Sequence, residues 1–421
     1  MHSKGQLPGF PFCAVSLAII AALLMAVSIA PAVAQCPPPG NGFNDIYDFT
    51  QLAAGNSPSG VVIDRAENLY GLLPGSGDYG AGLLYKLTER GGNWLLNPIH
   101  SFLGGSSGSP NNFILGPQGV YGGADGGIQN PSCNGINNYC GQVYKIRPGP
   151  NACTTALCSW NESTIYQFTG GTDADNGSIS AFDPAGNLYG ISAHGGAYGH
   201  GTVFELAPSQ GGWTETILHS FGEVGWPTSL LVGHDGNLYG TINAGGYYGY
   251  GVVFQLVPSG GGWTNNIIYT FTGGGDGFGP GALVQDSLGN LYGTSVCAEY
   301  PNGPCGGIDY NYYGLIFKLS PSGGGWQFSV LYNTTRDNLC EGYVHALTLD
   351  AAGYLYAAEG ALYDGCPSGW GALVDVTHLA RLASADEDFF QNLTADASGN
   401  LYGTSYDCGR YGDGMVWRYG P

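Results

Sequence analysis

The five-residue phrase GNLYG recurs along this chain and constrains its fold more than any other feature. It stands intact at residues 186–190, 236–240, 289–293 and 399–403. Looser copies carry Tyr70, Tyr121 and Tyr356, which makes seven copies whose tyrosines lie 46 to 68 residues apart. Self-similarity at a period near 50 residues is typical of propellers and solenoids, in which each repeat is one supersecondary unit.

Each repeat contains four short runs of β-branched and aromatic residues, bounded by Gly, Asp and Pro. Around Tyr239 these runs are residues 229–232, 237–241, 252–256 and 263–271. Such runs predict strands that are joined as hairpins. Four antiparallel strands per repeat predict an all-β fold, a seven-bladed β-propeller of four-stranded antiparallel blades. We expect residues 35–421 to form this single domain.

The order of the runs also predicts how the ring closes. The seventh repeat ends after a third-strand run at residues 414–419, whereas residues 46–49 match the fourth-strand pattern of residues 165–168. We therefore expect the N-terminal strand to complete the last blade, which protects the edges that an open array would expose. Residues 379–390 replace a regular fourth strand with a more acidic stretch, so we expect an irregular sixth blade.

Three motifs together resemble a known bacterial repeat family. They are GNLYG, the segment GTVFEL at residues 201–206, and the segment GGWTETILHSF at residues 211–221. The chain is similar to choice-of-anchor proteins with tandem GloVer repeats, and the resemblance covers essentially the whole mature chain. It implies an exported repeat protein. It brings no established activity and no catalytic residues, so the function has to be argued from this chain's own side chains.

The first 34 residues are predicted to be a secretory signal peptide. Lys4 precedes an apolar run at residues 14–29, and residues 32–34 provide the small-residue cleavage pattern. No second apolar segment follows, so we expect no membrane span. After cleavage near Ala34 we expect a monomer in the periplasm, at the cell surface or in the medium.

The charge of the chain limits its partners. It has 11 Lys and Arg against 31 Asp and Glu, which gives a net charge of −20. A field of this sign repels phosphate backbones, so we expect neither nucleic acid nor an anionic membrane as a partner. We expect no cofactor. The partner classes that remain are a glycan, a peptide or another extracellular protein.

The cysteines predict disulfides. Of 11 cysteines, Cys13 leaves with the signal peptide, and the even number that remains indicates disulfides in an exported protein. The pairs that we expect are Cys133–Cys140, Cys153–Cys158, Cys297–Cys305 and Cys340–Cys366. The pairing of Cys36 with Cys408 stays open. No pair has the ligand spacing of a zinc site with a matching second half.

The loops between second and third strands are the best candidates for a binding surface. They share one face of a propeller with the loops that join the blades, because every second antiparallel connection returns to the same side. The insertions at residues 123–140 and 295–313 are both of this kind, and variable loops on a rigid scaffold commonly carry binding sites. Tyrosine suits this role because it combines a flat apolar ring with a polar tip. The candidate ligand-binding residues are His194, Tyr198, His200, Tyr247, Tyr248, Tyr250, Tyr310, Tyr312 and Tyr313.

These residues also have plainer interpretations. Gly-x-Tyr-Gly is also the pattern of a repeated turn whose rings pack on the neighbouring blade. Residues 173–177 alternate oxygen ligands like the start of a calcium loop but lack the bidentate Glu. His194 and His200 have no third zinc ligand. The repeated turn aspartates, such as Asp183 and Asp286, predict backbone capping rather than catalysis, because an active site needs groups that are unique.

Binding is the function that these observations favour. We expect an exported, non-catalytic protein that binds a glycan, a peptide or a protein through the Tyr/Gly-rich loop face. A polysaccharide lyase or hydrolase, or a structural cell-envelope protein, are the alternatives, because propellers host all of these roles. His100 and His219 occupy fourth-strand positions where other repeats have Tyr166 and Tyr269, so we expect them to pack in the scaffold.

Overall fold

The computed structural model describes residues 42–50, 58–135, 138–149, 160–222, 225–299, 311–334, 342–361, 371–385, 392–405, 410 and 413–420. Within these ranges the regular structure is β-strand, apart from one 3-10 turn at Gly105–Ser107. The predicted signal peptide, residues 1–34, lies outside the described residues. The strands form seven four-stranded antiparallel sheets, which are the blades of a propeller.

The chain begins its regular structure with β1 (Phe43–Asp48) and then builds the blades in order. The first blade contains β2 (Ser59–Ile63), β3 (Leu69–Leu73), β4 (Leu83–Arg90) and β5 (Asn93–Ser101). The second contains β6 (Pro110–Gly116), β7 (Gly119–Ala124), β8 (Gln142–Pro148) and β9 (Trp160–Gln167). The third contains β10 (Ala174–Phe182), β11 (Leu188–Gly195), β12 (Thr202–Ser209) and β13 (Gly212–Ser220).

The remaining blades follow the same order. The fourth contains β14 (Pro227–Val232), β15 (Leu238–Ile242), β16 (Val252–Ser259) and β17 (Gly262–Thr270). The fifth contains β18 (Leu283–Gln285), β19 (Leu291–Glu299), β20 (Asn311–Ser322) and β21 (Gly325–Asn333). The sixth contains β22 (Gly342–Leu349), β23 (Leu355–Ala361), β24 (Gly371–Asp375) and β25 (Ala380–Ala385). The seventh contains β26 (Thr394–Ala395), β27 (Leu401–Ser405) and β28 (Met415–Tyr419).

The N-terminal strand closes the ring, as the sequence predicted. β1 pairs antiparallel with β28, and the register runs from Phe43 opposite Tyr419 to Asp48 opposite Met415. Across the seam between the seventh and first blades, the backbone N–H of Val61 donates to Asn392 Oδ1 at 3.1 Å. The last blade therefore has four strands drawn from both ends of the chain.

Two local predictions about strands were wrong. The sixth blade has a fourth strand after all, because Ala380–Ala385 pairs with β24 before the acidic residues begin. The insertion at residues 295–313 is partly an extended hairpin, because β19 and β20 stay paired as far as Glu299 opposite Asn311. In the second case Val296, Tyr312 and Tyr313 are β-branched and aromatic residues that favour strands, and they continue the pairing instead of ending it.

The second glycine of GNLYG is required by close packing against the third strand. A Cβ atom on Gly190 would lie 2.3 Å from the ring of Phe204, and one on Gly240 would lie 2.3 Å from the ring of Phe254. The same collision would occur on Gly403 with Trp417. Each aromatic ring lies across its glycine inside the blade, which explains why GNLYG and the third-strand aromatic residue occur together in the repeat.

A buried phenylalanine after each of five fourth strands joins one blade to the next. Its ring packs on the third-strand aromatic residue of the following blade with centroids 5.1–5.4 Å apart. The pairs are Phe49–Tyr85, Phe102–Tyr144, Phe168–Phe204, Phe221–Phe254 and Phe271–Phe317. Each buried ring contributes roughly 1.5–3 kcal/mol through the hydrophobic effect. The ring-closing junction, Phe49–Tyr85, is built like the others.

Candidate functional site

The aspartates of the repeated turns are engaged in local hydrogen bonds. Asp183 Oδ1 accepts from the backbone N–H of Asn187 at 2.9 Å, and Asp183 Oδ2 accepts from the hydroxyl of Tyr189. The same arrangement recurs at Asp64, Asp286 and Asp396. Burial alone would raise the pKa of Asp286, but these hydrogen bonds outweigh it and lower the pKa. The prediction that the aspartates cap turns is confirmed.

Tyr79, Tyr198 and Tyr248 occupy the same position of a turn that repeats in the first, third and fourth blades. In each turn the glycine after the tyrosine donates its N–H to the glycine carbonyl three residues earlier, at 3.2–3.3 Å. The three side chains are 62%, 66% and 53% exposed. Because the same ring stands at the same place in three blades, this position belongs to the repeated scaffold.

Tyr247 and Tyr250 are additions of the fourth blade. Tyr247 stands where the third blade has Ala197. It is 89% exposed, and its ring meets that of Tyr248 edge-on with centroids 4.9 Å apart. The ring of Tyr250 covers Gly273 in the next loop, where a Cβ atom would lie 2.6 Å from it. Tyr250 is therefore used in packing, whereas Tyr247 is presented to solvent.

A groove of about 850 Å³ lies between the third and fourth blades. Tyr198 and Tyr247 line it at the loop face, and Ile267 on β17 lines it while remaining about half exposed. Its other apolar residues are Ile217, Leu218, Phe221, Ile242 and Val252. Its polar residues are His219, Ser220, Asn265 and Thr270. An apolar lining with a few polar groups is the usual composition of a ligand site.

The groove has room because the two side chains that meet there, from neighbouring fourth strands, are smaller than those at the next junction. His219 on β13 and Asn265 on β17 form a hydrogen bond at 3.1 Å, and burial lowers the pKa of His219. At the next junction, Tyr269 and Phe328 occupy the equivalent positions. Their rings stack with centroids 4.2 Å apart and planes within 9°. An imidazole and an amide fill less of the junction than two stacked rings.

Carboxylates occupy the position of Asn265 at the first two junctions. His100 contacts Glu162 at 2.6 Å across the first, and the hydroxyl of Tyr166 donates to Glu215 at 3.1 Å across the second. Burial, together with the nearby carboxylate of Asp173, raises the pKa of Glu215 to about 9. His100 packs edge-on against Phe102 and His219 against Phe221, which confirms the packing predicted for both. The use of His219 and Asn265 as groove residues was not predicted, because they come from two fourth strands.

The other predicted ligand residues lie elsewhere. His194 is near the end of β11, with its ring 6.2 Å from that of Trp226, and neither it nor His200 lines the groove. Tyr312 and Tyr313 belong to β20, where they pair with Ala298 and Cys297 rather than lying in a loop. Tyr310 lies outside the described residues. The structure thus brings Tyr198 and Tyr247 to one groove, with Tyr248 in contact with Tyr247.

One predicted disulfide lies within the described residues. Cys133 and Cys140 are bonded and buried, which confirms that pair and is consistent with an oxidising compartment. Cys297 lies in β19, but nothing is described of its side chain. The other predicted disulfide cysteines, Cys153, Cys158, Cys305, Cys340 and Cys366, lie outside the described residues, as do Cys36 and Cys408. In the part of the chain that the structure describes, no helix is long and apolar enough to cross a bilayer.

A second cavity, of about 600 Å³, lies on the opposite face between the first two blades. Tyr70, Trp160 and Arg147 line it. The edge-to-face contact of Tyr70 with Trp160 repeats at later junctions as Tyr121–Trp213, Tyr189–Trp263 and Tyr239–Trp326. Because its aromatic walls are part of the repeat, this cavity is less distinctive than the groove between the third and fourth blades.

The chain belongs to the Gloeobacter/Verrucomicrobia repeat family, which matches residues 116–359. This confirms the resemblance to GloVer repeat proteins. No curated protein sequence matches the chain.

Solved structures support the propeller fold. A streptogramin B lyase is 10% identical with a TM-score of 0.51, and the match covers 90% of this chain and 97% of the lyase. A catalytically inactive virginiamycin B lyase from Staphylococcus aureus, bound to quinupristin, is 11% identical with a TM-score of 0.51. That match covers 90% of this chain and 99% of the other. At such low identity the likeness shows the fold alone.

Proposed function

We propose that this protein is an exported, non-catalytic binding protein that holds a neutral oligosaccharide in the groove between the third and fourth blades. The observation that carries this proposal is Tyr247. Its ring is 89% exposed, it is an addition to the repeated turn, and it lines a groove of about 850 Å³. Together with Tyr198 and Tyr248 it forms exposed aromatic surface beside the groove, and contiguous exposed apolar surface marks interaction sites.

The chemistry of the lining suits a sugar. The rings of Tyr198 and Tyr247 offer apolar faces for the C–H surface of a pyranose, and a tyrosine hydroxyl can both donate to and accept from a sugar hydroxyl. Ser220 and Thr270 add hydroxyl groups that donate and accept hydrogen bonds. The net charge of −20 disfavours an anionic glycan, so the proposed ligand is neutral.

The test is binding of the oxidised mature protein to an array of neutral and acidic oligosaccharides, followed by titration of the best ligand. We expect Tyr247→Ala to weaken binding about tenfold, since loss of one stacked ring removes roughly 0.5–1.5 kcal/mol beyond its buried area. Tyr198→Ala should have a similar effect. Melting temperatures of the variants should stay close to that of the wild type, because both rings are exposed.

Tyr79→Ala is the matched control for Tyr198→Ala, because Tyr79 has the turn position of Tyr198 in the first blade and similar exposure, 62% against 66%. It should leave glycan binding unchanged. Wild-type protein that binds no glycan, or a Tyr247→Ala variant that binds as well as the wild type, would overturn the proposal. A parallel peptide array separates the alternatives, since binding to peptides alone would contradict a glycan ligand.

A further inference from the structure

Asp175, at the start of the third blade, is a buried carboxylate with one unmatched oxygen. Its side chain is 0% exposed. Its Oδ2 accepts from the backbone N–H of Asn134 at 2.7 Å and from Asn134 Nδ2 at 3.2 Å. Its Oδ1 is buried and has no hydrogen-bond partner among the described residues. A buried acceptor of this kind is rare in proteins and commonly indicates an ion or a water molecule.

Asn176 supplies a second unmatched oxygen beside it. Its Oδ1 is buried and also lacks a partner within the described part of the chain. Its backbone has a φ of +54°, a left-handed conformation that Asn adopts more readily than most residues. Its N–H donates to the carbonyl of Cys140 at 2.8 Å. These features hold Asn176 against the end of the Cys133–Cys140 loop of the second blade.

The same loop contacts both side chains. Asn134 follows Cys133 directly and holds Asp175. A Cβ atom on Gly141, next to Cys140, would lie 2.9 Å from Asn176 Oδ1. The disulfide between Cys133 and Cys140 therefore fixes the segment that carries these contacts. Two oxygen acceptors without donors are thus placed at one junction between two blades.

We propose that a calcium ion binds at this junction, with Asp175 Oδ1 and Asn176 Oδ1 as its protein side-chain ligands. Calcium takes carboxylate, amide and backbone carbonyl oxygens together with water, and it tolerates irregular geometry. Among the described residues no three His, Cys, Asp or Glu side chains are grouped to hold a metal, so the site depends on one carboxylate. A single charge predicts weak binding, in the 10⁻⁴–10⁻³ M range of extracellular calcium modules.

The sister loop between the fourth and fifth blades provides a matched control. Asp276 there corresponds to Asp173, and its carboxylate accepts from the N–H and Oγ1 of Thr272, from the N–H of Gly274 and from the hydroxyl of Tyr269. Phe278 stands where Asp175 would be. The sister loop therefore repeats the turn with its aspartate oxygens fully used, and lacks the second acid.

The experiment is calorimetric titration of CaCl₂ into chelator-treated, oxidised protein at pH 7.5, with melting temperatures measured in parallel. We expect one site and a rise of about 3 °C in melting temperature at a calcium concentration 100 times the dissociation constant. Asp175→Asn keeps the shape of the side chain and gives Asn176 Oδ1 a possible donor. It should abolish both the heat of binding and the rise in melting temperature.

Asp276→Asn makes the same charge change in the sister loop and should keep the calcium response, whatever its own melting temperature. NaCl at matched ionic strength should not reproduce the rise. The proposal is overturned if the wild type shows no calcium response, if NaCl produces the same rise, or if Asp175→Asn still binds calcium. If the wild type shows no calcium response, water or a proton satisfies the two oxygens instead of calcium.

Discussion

The junction between the third and fourth blades and the junction between the fourth and fifth share their inner contacts and differ at the rim. In the interior, Phe221 packs on Phe254 at 5.2 Å in the first, and Phe271 packs on Phe317 at 5.4 Å in the second. At the rim the first junction holds the hydrogen-bonded pair His219 and Asn265. The second holds two stacked aromatic rings.

This difference separates the residues that build the propeller from the residues that leave a groove in it. The residues that recur, namely the glycines, the turn aspartates and the interior phenylalanines, build and close the ring. The rim positions are free to vary because they are not needed for closure. Where they carry small polar side chains, a groove remains, and in the fourth blade an additional tyrosine stands beside it.

The strongest test of this comparison is to give the junction between the third and fourth blades the two aromatic side chains of the junction between the fourth and fifth. In His219→Tyr combined with Asn265→Phe, we expect the two rings to stack as Tyr269 and Phe328 do and to fill the groove. The affinity for the groove ligand should fall at least about 100-fold, or about 2.7 kcal/mol. Titration of the best glycan measures this loss, and a melting temperature at or above that of the wild type shows that the variant folds. Retained affinity would mean that the ligand binds outside the groove.

A second test compares the stability that each rim pair provides. The ring of Phe328 contacts those of Tyr269, Phe271 and Phe317. Phe328→Ala should therefore lower the free energy of unfolding by about 2 kcal/mol, less than for a fully buried ring because Phe328 is half-buried. Asn265→Ala should cost less than about 1 kcal/mol. Denaturant unfolding measures both changes, and equal costs would show that the stacked rings do not stabilise their junction.

At the junction between the second and third blades, Glu215 occupies the position of Asn265, and its effect on stability should depend on pH. Burial and the neighbouring Asp173 raise the pKa of Glu215 to about 9. The folded protein keeps this proton while the unfolded chain loses it at a much lower pH, so Glu215 destabilises the fold progressively as the pH rises toward 9. Glu215→Gln should remove this loss, so its advantage over the wild type should grow with pH, by at most about 1.4 kcal/mol per pH unit, and be largest at pH 8.

The measurement for Glu215 is the difference in unfolding free energy between variant and wild type at pH 5, 6.5 and 8. Near pH 4.5, the ordinary pKa of Glu, Glu215 becomes protonated in the unfolded chain as well, so the difference should be smallest at pH 5. A difference that does not change with pH would contradict the raised pKa of Glu215.

The sequence was sufficient for the ring because its determinants are local and repeated. Hairpin lengths, turn residues and the pattern of residues 46–49 each predicted contacts that the structure contains. The groove was beyond such reasoning, since His219 and Asn265 are 46 residues apart and meet only when two blades are packed. Tyrosine content predicted the loop face, but it did not separate Tyr247 from the repeated position of Tyr248. That distinction depends on comparing exposure and turn geometry between blades.

The smallest expected effect comes from giving the first blade the additional tyrosine of the fourth. Asp78 stands where the fourth blade has Tyr247, and its hydrogen bond to the described residues is from its backbone N–H to Ser101 Oγ. Asp78→Tyr should therefore change stability by less than about 0.5 kcal/mol. It should add no second binding site, because His100 and Glu162 occupy the neighbouring rim. A doubled stoichiometry in the glycan titration would instead show that the tyrosine pair alone is sufficient for binding, without a groove beside it.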